Sequence, residues 1–156
     1  MGGQSTTSQA VVKCGGLGFR LLTTRVVEAF DEGGAVTKLL LRFTQALITQ
    51  IAQTAVCSRH HSLDQRLCRS LLSTLDRLHT QELRMTQELI ANMLGVRREG
   101  VTEAALALQT AGLIKYQRGH ISVIDRTALE TRSCECYAVV RNEYQRLLPS
   151  EPELTS

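Results

Sequence analysis

Arg97, Arg98, Glu99, Thr102 and Glu103 fall within seven consecutive residues of this 156-residue chain. Their chemistry suits the edges of base pairs. An arginine can give guanine two parallel hydrogen bonds, a glutamate can accept from a cytosine amine, and a threonine hydroxyl can do either. They have that use only if a helix presents them together. Val101, Ala104, Ala105 and Leu108 recur at helical spacing. A helix from about Arg98 to Thr110 would bury those four and leave Arg98, Glu99, Thr102 and Glu103 outside, near its N-terminal end. Taken alone, such a set is more often a solvated, charged helix start, so the flanking segments decide its meaning.

The preceding segment, from Thr86, reads as a short helix. Thr86 is a good N-cap, and Glu88 in the first turn suits the positive end of the helix dipole. Leu89, Ile90, Met93 and Leu94 form a buried stripe, and Ala91 beside them lets another helix come close. Gly95 can adopt positive φ and end the helix within one residue. After the second helix, Gly112 is the expected stop. Ile114 and Tyr116 alternate with Lys115 and Gln117, and Ile121 and Val123 alternate beyond a turn at Arg118-Gly119, which is strand spacing. Lys115, Arg118 and His120 then lie near the tip or outer face of a hairpin, where phosphates could be met. Helix, tight turn, helix and hairpin make a winged helix-turn-helix.

The residues Thr86 to Val101 follow the pattern T-x-E-x-I-A-x-x-L-G-V-x-R-E-x-V. In this setting the pattern resembles the C-terminal domain of the Crp–Fnr superfamily of bacterial transcription regulators. The similarity runs from about Gly18 to Pro149 and is strongest from Gln53 onward. The resemblance implies a DNA-binding homodimer acting on an inverted-repeat site, with RNA polymerase as a further expected partner. By motif it places base reading on Arg98, Glu99, Thr102 and Glu103, and a phosphate contact on Thr86. Two positions depart from the family pattern. Glu103 stands where the family often has arginine, so the preferred half-site should differ from that of the best-known members. Arg97 stands where a capping Ser or Thr is common; arginine caps poorly, so Arg97 is assigned to phosphate.

The rest of the chain must position this reader. Hydrophobic residues make up 43% of the sequence but aromatics only 4%, so aliphatic side chains must build the core. The net charge of +3 permits nucleic-acid binding without demanding it. From Ala35 to about Arg59 a long helix is expected, without Pro or Gly. Val36, Leu40, Phe43, Leu47, Gln50 and Thr54 follow steps of four and three along it, a seam that can pair with a copy of itself. Ser62 should cap a further helix carrying Leu63, Leu67, Leu71, Leu75 and Leu78 on one side, with His79 in its last turn. Thr80 to Met85 reads as a link, and Thr127 to Leu148 as one last helix ended by Pro149. The expected architecture is mainly α with a small β wing. Residues 1–34 would be a polar tail and, over Ala10–Leu22, a remnant of the sensor β-roll with a strand or two, followed by a short helix capped by Thr23 or Thr24. Residues 35–80 would hold the dimerisation and linker helices, 81–149 the winged helix-turn-helix, and 150–156 a tail.

Other chemistry is not expected. Cys57, His60 and His61 are close in sequence, and Cys57 and His60 could share a helix face, but no second ligand pair lies nearby in sequence, so no metal is assigned. Cys134 and Cys136, two apart on a helix, should point apart as packed thiols. No catalytic triad, carboxylate pair or phosphate-cradling glycine loop occurs, so no enzyme is read and no cofactor is expected. The Gly-Glu…Arg cassette of cyclic-nucleotide-binding relatives is missing before Leu22, and no cyclic nucleotide should bind. Five cysteines, with no signal peptide or membrane-length apolar run, point to the cytoplasm and to no membrane partner.

Overall fold

The computed structural model describes residues 10–148 apart from 79 and 81. The expected tails at 1–9 and 150–156, the stop at Pro149 and the helix-end role of His79 lie outside the described residues. Seven helices and three strands follow in the order α1 (Thr23–Asp31), α2 (Ala35–His60), α3 (Leu63–Leu78), β1 (Glu82–Arg84), α4 (Gln87–Leu94), α5 (Arg98–Thr110), β2 (Ile114–Gln117), β3 (His120–Val123), α6 (Arg126–Arg132) and α7 (Cys136–Leu147). No helix among the described residues is long and apolar enough to cross a membrane.

One core joins α3 to the segments that follow it. Leu67, Leu71, Leu72 and Leu75 of α3 are buried with Ile90 of α4, Val101 and Leu108 of α5, Ile121 of β3 and Leu129 of α6. The start of α3 is a capping box. Ser62 Oγ accepts from the Gln65 amide at 3.3 Å, and Gln65 Oε1 accepts from the Ser62 amide at 3.1 Å. α3 is therefore a wall of the reader as much as a link to it. Two contacts tighten that wall: Arg66 donates to the Leu94 carbonyl, and Leu63 packs so close to Gly100 that a Cβ there would lie 2.9 Å from it.

Several expectations are corrected. Residues 10–22 form no strand, and Val12, Leu17 and Phe19 are almost fully exposed. A strand needs a neighbour to satisfy its amide and carbonyl groups, and none among the described residues pairs with this segment. α1 forms as expected, but Leu22 occupies its N-cap, without a side-chain cap bond. The link at Thr80–Met85 contains β1, which joins the hairpin as a third strand: the sheet order is β1-β3-β2, with Leu83 opposite Ile121. The single C-terminal helix is instead two. Ser133 is extended (ψ 169°), and its hydroxyl donates to the Glu130 carbonyl. The chain restarts as α7 at Cys136, and the break lets Cys134 and Cys136 approach the same point instead of pointing apart.

α2 differs from α3 in how little of it is covered. Of its 26 residues only Ala46 and Cys57 are buried. In the expected seam, Val36 and Phe43 are exposed and Leu40 and Leu47 half-buried. Gln50 and Thr54 are engaged within the chain instead. Gln50 Oε1 accepts from Arg77 and, at 3.0 Å, from the Tyr144 hydroxyl, while Thr54 Oγ1 accepts from Arg69 at 3.3 Å. The cause is helical geometry. A straight helix drifts about 20° per heptad against a strict 3.5-residue repeat, so a stripe that begins on the open face rolls toward the face packed on α3 and α7.

Candidate nucleic-acid interface

α4 and α5 meet across a turn that the local sequence dictates. Thr86 is the N-cap of α4, its hydroxyl accepting from the Leu89 amide at 3.2 Å. At the other end Gly95 takes φ +64°, and the Val96 amide bonds the Ala91 carbonyl at 3.1 Å. That is a Schellman stop, with the left-handed residue that only glycine adopts without penalty. α5 closes similarly, the Leu113 amide bonding the Leu108 carbonyl at 3.0 Å after Gly112. Val101, Ala104, Ala105 and Leu108 are all buried, which fixes the rotation of α5 about its axis.

That rotation leaves Arg98, Glu99, Thr102 and Glu103 exposed at the N-terminal end of α5. Arg97 is the N-cap residue and makes no side-chain cap bond. None of the charged residues among these forms an ion pair among the described residues; the ion pairs of the reader's core side gather around α3, α6 and α7. There Arg126 binds both Asp76 and Glu130, and the Tyr137 hydroxyl donates to Asp76 at 2.9 Å. Charge neutralisation is thus concentrated behind the reader, while the guanidinium groups of Arg97 and Arg98 face solvent.

A groove of about 590 Å³ runs between the start of α4, the outer side of α5 and the hairpin, lined among others by Thr86, Gln87, Arg98, Thr102, Tyr116 and Arg118. It gathers residues expected from sequence with some that were not. Thr102 Oγ1 lies 2.9 Å from Gln87 Oε1 and 3.1 Å from the Arg98 carbonyl, so its hydroxyl is already engaged. The Tyr116 hydroxyl donates to the Met85 carbonyl at 2.8 Å, and its amide bonds Gln109 Oε1. Burial pushes the Tyr116 phenol above its ordinary range, with nearby Arg98 pulling the other way. Gln87, Gln109 and Tyr116 carry no charge signal in the sequence; only the alternation of β2 marked Tyr116 as inward.

The hairpin turns at Arg118 (φ +49°) and Gly119 (φ +80°), between the paired Gln117 and His120. Two successive positive φ values match the type I′ turn that suits the twist of a two-residue hairpin. Arg118 at the tip lines the groove. Lys115 and His120 are exposed on the face of the hairpin opposite Ile114, Tyr116 and Ile121, so they are not gathered with it.

Two helices at a glycine turn, closed by a three-stranded wing, define a winged helix-turn-helix. Residues 65–132 match the family described as the Crp-like helix-turn-helix domain. The chain is also similar to the crystal structure of a transcriptional regulator of the Crp/Fnr family from Eubacterium rectale, with a TM-score of 0.53 and 29% identity over 68% of this chain. It spans about half of that protein, 49% of its length. No curated protein matches the chain. The two likenesses agree with the pattern at Thr86–Val101: residues 65–132 match a Crp-like helix-turn-helix domain, and the chain is similar to a Crp/Fnr-family transcriptional regulator.

Proposed function

We propose that this chain regulates transcription as a homodimer on an inverted-repeat DNA site, with α5 in the major groove. The observation that carries the reading is the outer side of α5. Its buried stripe points inward, its N-terminal end is polar and exposed, and Thr86 and Arg118 flank it where phosphates pass. Helix N-terminal side chains meet base edges first in this geometry, and a twofold dimer sets two such helices about one DNA turn apart. The open apolar face of α2 supports the dimer. Phosphate contacts from Thr86, Arg97 and Arg118, with Lys115 and His120 for flanking DNA, would supply most of the affinity. Base contacts from Arg98, Glu99 and Glu103 would supply the choice of sequence.

A second reading rests on Glu99 and Glu103, two exposed carboxylates on the same end of α5. They weaken its attraction for phosphate and fit a winged-helix module that docks protein instead. Selection from a random DNA pool, followed by gel shifts at rising salt, separates the two. The DNA reading expects an enriched palindrome bound by two chains and an affinity that falls linearly with salt on logarithmic axes. An unenriched pool with no shifted complex at low salt would rule it out.

A further inference from the structure

Cys57 lies in the last turn of α2 and His61 caps that helix, so the i,i+4 spacing sets them on one face. Cys134 lies in the break between α6 and α7 and Cys136 opens α7, with Glu135 between them. The sequence separates the pairs by more than seventy residues, yet the Sγ atoms of the three cysteines and a ring nitrogen of His61 all lie within 4.8 Å of one another. We propose that Cys57, His61, Cys134 and Cys136 bind one zinc(II) ion in a tetrahedral site of three sulfurs and one nitrogen.

Four observations support the assignment. The spacing of the donors is that of a mononuclear site: bonds of about 2.3 Å to sulfur give tetrahedral edges of about 3.8 Å. The Cys57 and Cys134 Sγ atoms are 3.5 Å apart, and Cys136 Sγ is 3.7 Å from His61 Nδ1. The surroundings of the histidine also suit a metal ligand. His61 Nε2 faces Glu135 Oε1 at 3.1 Å, an arrangement that favours a proton on Nε2 and leaves the Nδ1 lone pair for the sulfurs. A carboxylate behind a ligating imidazole is the usual second layer of a zinc site. Third, the three cysteines are buried together as a cluster of their own, apart from the aliphatic core. Fourth, three thiolates and a divalent ion carry one net negative charge, and the cation Arg69 stands close enough to oppose the burial that pushes the Cys57 thiol up to about 12. The buried Arg69 Nε has no partner among the described residues.

Thiolate and imidazole donors in a tetrahedron favour zinc among divalent ions, and four protein ligands leave no open position for catalysis. An iron–sulfur cluster would spread its ligands more widely than one ion does. A Cys57–Cys134 disulfide would leave Cys136 and the His61–Glu135 pair without a role. The ion would clip the end of α2 to the start of α7.

The test uses the full 156-residue chain, untagged and purified without added metal. Elemental analysis should find one zinc per chain. After stripping with chelator, cobalt(II) should give thiolate-to-metal charge transfer in the near ultraviolet and intense tetrahedral bands in the visible. Both should saturate at one equivalent and be displaced by zinc. Cys134→Ser and His61→Gln should abolish these bands, and Cys14→Ala should keep them. Glu135→Gln, at an exposed side chain that threatens no core, should weaken cobalt binding by roughly 10–100-fold. Circular dichroism checks that each variant folds. The proposal is overturned if cobalt gives no charge-transfer band, if Glu135→Gln and His61→Gln bind it as the parent does, or if the purified chain carries a Cys57–Cys134 disulfide and no metal.

Discussion

α2 and α5 each leave one face of a helix open, and the two faces are opposite in chemistry. On α2 the open residues are Val36, Phe43, Ile48 and Ile51, each 45–60% exposed. On α5 they are Arg98, Glu99, Thr102 and Glu103. Apolar surface gains by leaving water whatever it meets, provided the partner is apolar and fits. Charged and hydroxyl groups gain only from a partner whose donors and acceptors match in place. The first face therefore suits a second copy of the same helix, and the second a surface with a fixed hydrogen-bond pattern. On the proposed reading, specificity and assembly are kept on separate helices, so each can be broken alone.

The largest effect should come from Leu47→Glu. It puts a charge in the α2 stripe and should halve the mass seen by light scattering while the circular dichroism spectrum holds. Losing the second reader should then cost roughly a hundredfold or more in affinity for a two-half-site DNA. An unchanged mass would show that the open face of α2 is not where two copies meet. Arg98→Ala should follow, costing about 1–3 kcal/mol and relaxing choice at one base pair per half-site. If it weakened every sequence alike, Arg98 would be a phosphate contact and the division between the faces would blur. Arg97→Ala should act in that uniform way, with the salt slope reduced by about one per chain; a changed sequence preference would move Arg97 among the base readers. Glu103→Arg should alter total affinity least at the selected site. It should shift preference toward guanine at one position and tighten nonspecific binding, and repeat selection on the variant would show an unaltered consensus if Glu103 does not face a base.

The reader was legible because its determinants are local. Thr86 caps, Gly95 and Gly112 stop, Arg118-Gly119 turns, and the stripe Val101, Ala104, Ala105, Leu108 fixes a rotation; each acts within a few residues of itself. What was missed depends on distant partners. β1 exists because Leu83 finds Ile121, nearly forty residues on. That Gln50 and Thr54 of the expected seam also bond Arg77, Tyr144 and Arg69 from other helices could not be read from spacing. The strand expected before Leu22 lacks a neighbour to pair with among the described residues. Periodicity carried the last helix straight through Ser133, although the sequence there has no Gly or Pro to signal a break. The same oversight hid the cluster of Cys57, His61, Cys134 and Cys136, whose two halves meet only once that break is made. Thr102 was placed correctly on its face, but its bond to Gln87 could not be read from spacing.

The sparse cover on α2 also has a mechanical consequence. Residues 82–84 are stitched into the wing as a third strand, and α3 shares the reader's core. The arm is held to the reader well before its end: Cys57 is buried, Gln50 accepts from Arg77 of α3 and Tyr144 of α7, and Thr54 accepts from Arg69 of α3. α2 is a rod of about 39 Å, at 1.5 Å per residue, and its first buried residue is Ala46. The stretch before Ala46 is therefore a cantilever of about 16 Å, fixed at one end. A second copy laid along it would brace the part of the helix that its own chain supports least.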